Sequence, residues 1–264
     1  MHRLIVILLF LVPLAASAQE SSSGGPLFMK DMLGDREFFD PWGVGIDIFA
    51  MQQDYGIVDL EFTLGDVEIG DPGLIDVTND VQNVDLKFDV WLTPFLNVFA
   101  LVGRLKADTY VDFSRLPPIE GLPPLGSIPV SYDGTVYGAG VNLLYGTKNW
   151  FVALNNTWTD ASLSGDFDSS VSAYTAQPRI GLIKNKWTMY VGGMYLDTQE
   201  KHQGTIQLQI PGVPPIDFSV ELESAEKWNY AVGVMHVFSP KAQFLLEIGF
   251  GDRTHTLANF TYRF

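Results

Sequence analysis

Four histidines, a spread of carboxylates and no cysteine are the chemistry-bearing residues of this 264-residue chain. Without cysteine there is no disulfide, no thiolate metal ligand and no thiol nucleophile. The histidines are His2, His202, His236 and His255. No two are spaced as His-x-His or His-x-x-x-His, so no zinc site is expected. His255 follows Gly251-Asp252-Arg253-Thr254. With Asp252, Glu200 or Ser224 it has the residue types of an acid–base set. Gly249-Phe250-Gly251-Asp252-Arg253 reads as a tight turn rather than a nucleophile elbow, and no enzyme motif is matched. The expectation is a solvated rim cluster around His255, with no catalytic residues, no metal and no cofactor.

Charge narrows the partners. Sixteen Lys and Arg stand against 31 Asp and Glu, a net charge of −15. Nucleic-acid binding rests on phosphate neutralisation and is not expected. A cation-preferring surface or lumen is compatible with the balance. Met1-His2-Arg3, the apolar run Leu4–Leu14 and Ala16-Ser17-Ala18 read as a secretory signal over residues 1–18. Beyond it no apolar run approaches the ~18 residues of a spanning helix. If the remainder crosses a membrane, it must do so as a closed barrel.

Most of the rest alternates with period two. Val84, Leu86, Phe88, Val90 and Leu92 oppose Asp85, Lys87, Asp89 and Trp91. Phe244, Leu246, Ile248 and Phe250 oppose Gln243, Leu245, Glu247 and Gly249. Val44, Ile46 and Ile48 oppose Gly45, Asp47 and Phe49. In 98–113 every charge falls on the even face, which the alternation assigns inward, leaving Phe99, Leu101 and Leu105 outward. An antiparallel sandwich also alternates. The length of the stretches, the aromatics near turn ends and the number of charges on one face favour a barrel with a wet lumen. The expected lumen charges are Asp47, Asp85, Lys87, Asp89, Arg104, Lys106, Asp108, Arg179, Glu221, Glu223, Lys227, Glu247 and Arg263. They either interlock as ion pairs and block a narrow lumen or line a selective channel.

The chain ends Asn259-Phe260-Thr261-Tyr262-Arg263-Phe264. Phe260, Tyr262 and Phe264 share one strand face. This ending resembles the closing strand of Gram-negative outer-membrane β-barrel proteins. The resemblance implies an outer-membrane location, surrounding outer-membrane lipids, and recognition by the barrel-assembly machinery through Phe260, Tyr262 and Phe264. It matches no characterised subfamily. The class includes porin-like channels, structural and surface-contact barrels, and lipid- or peptide-processing enzymes. A structural or surface-interaction role with a narrow, charge-lined lumen is the first expectation. A solute channel is the second and an enzyme the third.

The expected fold is all-β, an antiparallel up-and-down transmembrane β-barrel over residues 42–264, preceded by a leader or small plug at 19–41. Ten strands are expected: 42–64, 82–93, 96–114, 129–146, 149–164, 171–184, 187–204, 218–238, 242–251 and 254–264. Twelve or eight are the alternatives. Short turns alternate with long Pro- and Gly-rich loops, which puts both termini on the periplasmic side. Strands 96–114, 187–208 and 218–238 are long enough to project beyond the bilayer on the outside. Loops 115–128 and 204–217 set Leu and Ile among Pro-Pro and Gly. They either cap each other or meet a hydrophobic ligand or surface partner from outside.

Overall fold

The structure, a computed structural model, describes residues 24–34, 38–63, 72–115, 126–165, 168–206 and 215–264. The expected signal peptide lies outside the described residues, as does most of loops 115–128 and 204–217.

Among the described residues, eleven strand segments form one antiparallel sheet. They are β1 (Trp42–Thr63), β2 (Asp76–Thr93), β3 (Leu96–Asp112), β4 (Ser127–Gly146), β5 (Trp150–Gly165), β6 (Asp168–Lys184), β7 (Trp187–Ile206), β8 (Ile216–Ser224), β9 (Trp228–Ser239), β10 (Ala242–Phe250) and β11 (Thr254–Arg263). β1 pairs with β11 from Gly43↔Arg263 to Gln52↔Thr254, which closes the sheet into a barrel. β8 and β9 are two halves of the strand expected at 218–238, interrupted at 225–227. Counted as one staggered strand, they give ten.

The ring changes size along its axis. At the short-turn end ten strands meet: β1 to β7, β9, β10 and β11. β10 and β11 stop at the turn 251–253. Beyond it β8 steps across to pair with β1, from Tyr55↔Ser224 to Thr63↔Asp217. Its other edge pairs with β7, from Gln199↔Glu223 to Ile206↔Ile216. There the ring has eight strands, and barrel diameter falls with strand number.

Outer and inner faces exchange character at this step. Around the ten-strand section the outer face is apolar, with Ile46, Ile48, Val84, Phe88, Met189 and Val191 all exposed. Two rows of aromatic rings bound this belt. The row nearer the short turns includes Tyr145–Trp150, Trp187–His236 and His236–Phe238, with centroids 5.9, 4.2 and 4.7 Å apart. The other runs Trp158–Tyr174–Tyr195–Trp228 at 5.3, 6.2 and 5.3 Å, then Tyr230–Phe250 at 6.2 Å. From Trp228 to Phe238 the strand climbs ten residues. At about 3.4 Å per residue and roughly 40° of tilt this is about 25 Å, the height of a barrel's lipid-facing band. Beyond the second row the outer face turns polar, with Gln52, Asp54, Arg104, Lys106 and Asp133 outward.

The interior changes in the opposite sense. Inside the belt it is polar. Inside the eight-strand section it is an apolar core of Val81, Ala107, Tyr132, Val136, Ala161 and Leu163, continued by Tyr55, Ile75, Val77 and Leu222. A bulge between Ile57 and Asp59 resets the alternation of β1, so Leu60 joins that core while Val58 stays outside.

Part of the leader packs on the short-turn end. The amides of Leu27 and Phe28 donate to the carbonyls of Trp91 and Leu92 at 3.0 and 2.8 Å. Phe38 stands edge-on to Trp91 at 5.1 Å, and the Arg263 guanidinium lies 5.5 Å from the Phe39 ring.

Candidate functional site

Inside the belt, polar clusters line the lumen wall. Arg263 pairs with Asp89 at 2.8 Å by reaching across β1. Gly43 makes this geometry possible, because a Cβ there would collide with the Asp89 carboxylate. A chain of amides continues around the wall: Asn155 donates to Asn142 at 2.5 Å, Asn142 to Asn97 at 2.9 Å, and Asn97 to Asp89 at 2.6 Å. In the second cluster Glu247 is the hub. It accepts from Arg179 at 2.7 Å and from Tyr190 at 2.9 Å, and lies 3.2 Å from His255. Gly249 leaves room for the His255 ring. Lys87 pairs with Asp47 at 2.9 Å, and Asn259 donates to the same carboxylate. Asp85 lies inside and accepts from Asn83 at 2.8 Å. Between these clusters and the leader is a cavity of about 800 Å³, with Phe38, Phe39 and Trp91 in its wall.

Six of the expected lumen charges lie elsewhere. Arg104, Lys106, Asp108, Glu221, Glu223 and Lys227 stand on the outer wall of the eight-strand section or at its step. Arg104 pairs with Asp133 at 2.8 Å, with both side chains more than half exposed. Lys106 pairs with Asp108 at 3.5 Å, Lys201 with Glu221, and Lys227 with Asp197 and Glu223 at 2.8 and 3.9 Å. Register gives the reason. Gly103 faces Asp85 and Arg104 faces Val84 across β2–β3, and directly opposed residues share a face. The odd residues Asn97, Phe99 and Leu101 therefore point inward, the reverse of the phase read from the sequence. The rule that charges face the lumen holds only within lipid. Above it, water takes the outer face.

The expected His255 cluster is also different. His255 is buried against Glu247 and Asn229, not solvated. Ser224 bonds Thr198 at 2.7 Å. Glu200 belongs to another group, so the imagined acid–base set is not assembled.

That other group forms a polar septum across the eight-strand section. Glu200 is 3% exposed and accepts from Tyr55; the Tyr132 hydroxyl lies 3.5 Å away and His202 Nε2 3.1 Å away. Asn79 donates to the Tyr132 oxygen at 3.0 Å, and Thr109 lies at the same distance from it. His202 Nδ1 lies 2.7 Å from Ser169 Oγ. Burial, then the neighbouring carboxylate, pushes both phenols above the usual tyrosine range, so both remain protonated donors at neutral pH. Below the septum is a cavity of about 200 Å³, and above it one of about 80 Å³. The upper chamber is walled almost wholly by aliphatic and aromatic side chains, including Ile57, Ile75, Val77, Val111, Val220 and Leu222; His202, Tyr132 and Thr109 supply its polar floor.

Arg253 closes the step between the sections. It is 1% exposed at the turn where β10 and β11 end. Its guanidinium donates to the carbonyls of Glu226 and Met194 at 3.1 and 3.2 Å, and more distantly to Lys227 and Gln53. Glu226 and Lys227 lie in the break between β8 and β9. Arg253, Glu200 and His202 were not singled out as lumen residues by alternation. In 197–203 both faces are polar, so alternation gives no phase there.

No family model and no curated protein matches the sequence. Several solved structures are similar over most of the chain. The transport unit of the autotransporter AIDA-I from Escherichia coli is 11% identical, with 91% of this chain and 95% of that one covered and a TM-score of 0.44. The outer membrane protein OprG from Pseudomonas aeruginosa is 10% identical, with 86% and 98% covered and a TM-score of 0.47. A monoaromatic hydrocarbon channel, the TodX deltaS2 mutant, is 11% identical at a TM-score of 0.29. At these TM-scores the likeness says nothing of activity. The closed ring, its apolar belt and the two aromatic rows are the features of a transmembrane β-barrel.

Proposed function

We propose that the barrel is an anchor for a small ligand-holding chamber on the outer side of the membrane. One observation carries this reading: the eight-strand section has the inside-out pattern of a water-soluble binding barrel, with an apolar cavity at its axis. The section lies at the end opposite both termini, which is the external end if the short turns are periplasmic. The ion pairs within the belt act as struts. They interlock across the lumen, and the leader lies against its periplasmic mouth, so the protein does not serve as a free pore. A structural lumen of this kind keeps the first sequence expectation and adds a binding site above it.

The test combines two measurements on the refolded mature protein. In a planar bilayer it should insert without stable conductance steps. In detergent it should bind an apolar fluorescent probe at one site, and Leu222→Trp, which fills the chamber, should abolish that binding. Reproducible conductance would restore the channel reading. Probe binding unchanged by Leu222→Trp would remove the chamber.

A further inference from the structure

The septum holds a set of side chains that ligand retention alone does not use. Ser169 and His202 are directly opposed on β6 and β7 and so share the inner face. The Ser169 hydroxyl oxygen lies 2.7 Å from His202 Nδ1, and His202 Nε2 lies 3.1 Å from one Glu200 oxygen. The other Glu200 oxygen accepts from Tyr55. A carboxylate only accepts, so in the neutral ring the proton sits on Nε2 and Nδ1 is left to accept from the Ser169 hydroxyl. His202 is 7% exposed, and its ring packs against Tyr132 at 5.3 Å, which holds its plane. Ser169 is only half-buried, between the exposed Asp168 and Ser170. A serine within reach of water, backed by an imidazole and then by a buried carboxylate, has the parts of an activated nucleophile. His202 also lines the apolar chamber, so this nucleophile stands beside a binding site.

We propose that Ser169 is the nucleophile of a slow esterase at the outer end of the barrel, with His202 as its base and Glu200 positioning the ring. The substrate class is a carboxylic ester with a short apolar acyl group, seated among Val77, Val111 and Leu222. At roughly 10–15 Å³ per water, 80 Å³ has room for about five to eight waters, or for an acyl group of about four to six carbons. Ser169 Oγ bonds to the carbonyl carbon as its proton passes to His202 Nδ1. Glu200 holds the imidazolium so formed, which gives that proton to the departing alcohol as the ester C–O bond breaks. Water then attacks the acyl-serine. Nδ1 takes the water's proton and returns it to Ser169 Oγ as the carboxylic acid leaves. The backbone at Ser169 and His202 lies within the β6–β7 ladder, not in a turn with amides aimed at the carbonyl oxygen. General-base assistance by itself contributes about 10²–10⁴-fold, so turnover is expected to be slow.

This inference rests on the chamber reading above and deepens it. The experiment follows two readouts on the refolded mature protein: hydrolysis of 4-nitrophenyl butyrate and 4-nitrophenyl dodecanoate, and the site of the adduct left by phenylmethylsulfonyl fluoride, read by mass spectrometry. The butyrate should be cleaved at least tenfold faster than the dodecanoate, and the adduct should map to Ser169. Ser169→Ala should abolish both while the apolar probe still binds. Glu200→Gln should slow labelling at least tenfold with probe binding retained, because it misplaces the ring proton and leaves the chamber intact. If the apolar probe does not bind the parent protein, the chamber reading itself fails. If the probe binds but the butyrate is not cleaved, or Ser169→Ala cleaves it as fast as the parent, the chamber stands and the nucleophile is wrong. Faster cleavage of the dodecanoate would overturn the seat of the acyl group in the chamber. The adduct site in the parent protein decides the role of Ser169 even where Glu200→Gln does not refold.

Discussion

The ten-strand and eight-strand sections are built from the same strands and stabilised in opposite ways. In the lower section apolar residues face lipid, which is as apolar as they are. Burial of hydrocarbon between protein groups therefore contributes little there, and specificity falls to the polar interior. In the upper section water lies outside, and the hydrophobic effect drives side chains to the axis. β3 shows both regimes on one strand. Val98, Ala100 and Val102 face lipid, and Arg104, Lys106 and Asp108 continue the same face into water. On the inner face Asn97 lies at the lower end and Ala107, Thr109 and Val111 at the upper. The side-chain phase never changes; only the solvent does.

The largest expected effect lies in the polar interior of the belt. Arg179→Ala would leave Glu247, 1% exposed, with only His255 and Tyr190. Breaking one partner out of a buried pair costs about 3–5 kcal/mol. The midpoint of urea unfolding in lipid vesicles should fall accordingly, with no gain of ion conductance. A conducting, normally stable variant would show that this pair gates a pore instead of bracing a wall.

Next in size is a paired truncation that separates the two regimes. Leu222→Ala removes a core side chain from the water-surrounded section and should cost about 2–4 kcal/mol. Leu86→Ala removes the same atoms from the lipid-facing belt and should cost less than about 1 kcal/mol in lipid vesicles, since hydrocarbon replaces hydrocarbon. Equal costs would mean that the proposed boundary between lipid and water is misplaced.

How much of this was legible in the sequence follows the same division. The strand series was readable, because turns such as Pro94-Phe95 and Asn185-Lys186 are short and the apolar runs beside them alternate cleanly. Within lipid, the inward set Asp47, Asp85, Lys87, Asp89, Arg179, Glu247 and Arg263 could be read from their apolar neighbours. Outside lipid the same rule inverts, and it misplaced Arg104, Lys106, Asp108, Glu221, Glu223 and Lys227. Residues 76–81 fall outside the expected strand 82–93, yet the inward Val77, Asn79 and Val81 extend β2 and line the upper section. The step from ten strands to eight has no local signature. It depends on where β10 and β11 end relative to β8, which only register reveals. The Glu200 septum was hidden for another reason: its members come from β1, β2, β3, β4, β6 and β7, far apart in sequence.

The step itself supplies a smaller expected effect. Arg253→Met keeps the bulk of the side chain and removes the donors to Met194 and Glu226. Leaving such buried carbonyls unpaired costs about 1–3 kcal/mol. Hydrogen exchange should quicken at 194–198 and 224–229 while the belt amides of β5 and β6 stay protected. Uniform loss of protection would show that the two sections unfold as one unit rather than being joined at a separable seam.

The smallest expected effect is on the outer wall, and it sharpens the comparison because the sequence pattern alone points the other way. If Arg104 lined the lumen, Arg104→Ala would alter ion flow or remove a buried charge. On the outer wall it pairs with Asp133 where both side chains are mostly in water. Such a pair contributes about 0–1 kcal/mol, less at high salt. Arg104→Ala should therefore leave the urea midpoint within about 1 kcal/mol of the parent protein and leave the probe-binding chamber unchanged. The contrast with Arg179→Ala is the decisive quantity. Both substitutions delete a guanidinium paired to a carboxylate at nearly the same distance, 2.8 and 2.7 Å. Any large difference between them must come from what surrounds the pair, water in one section and a packed interior within lipid in the other.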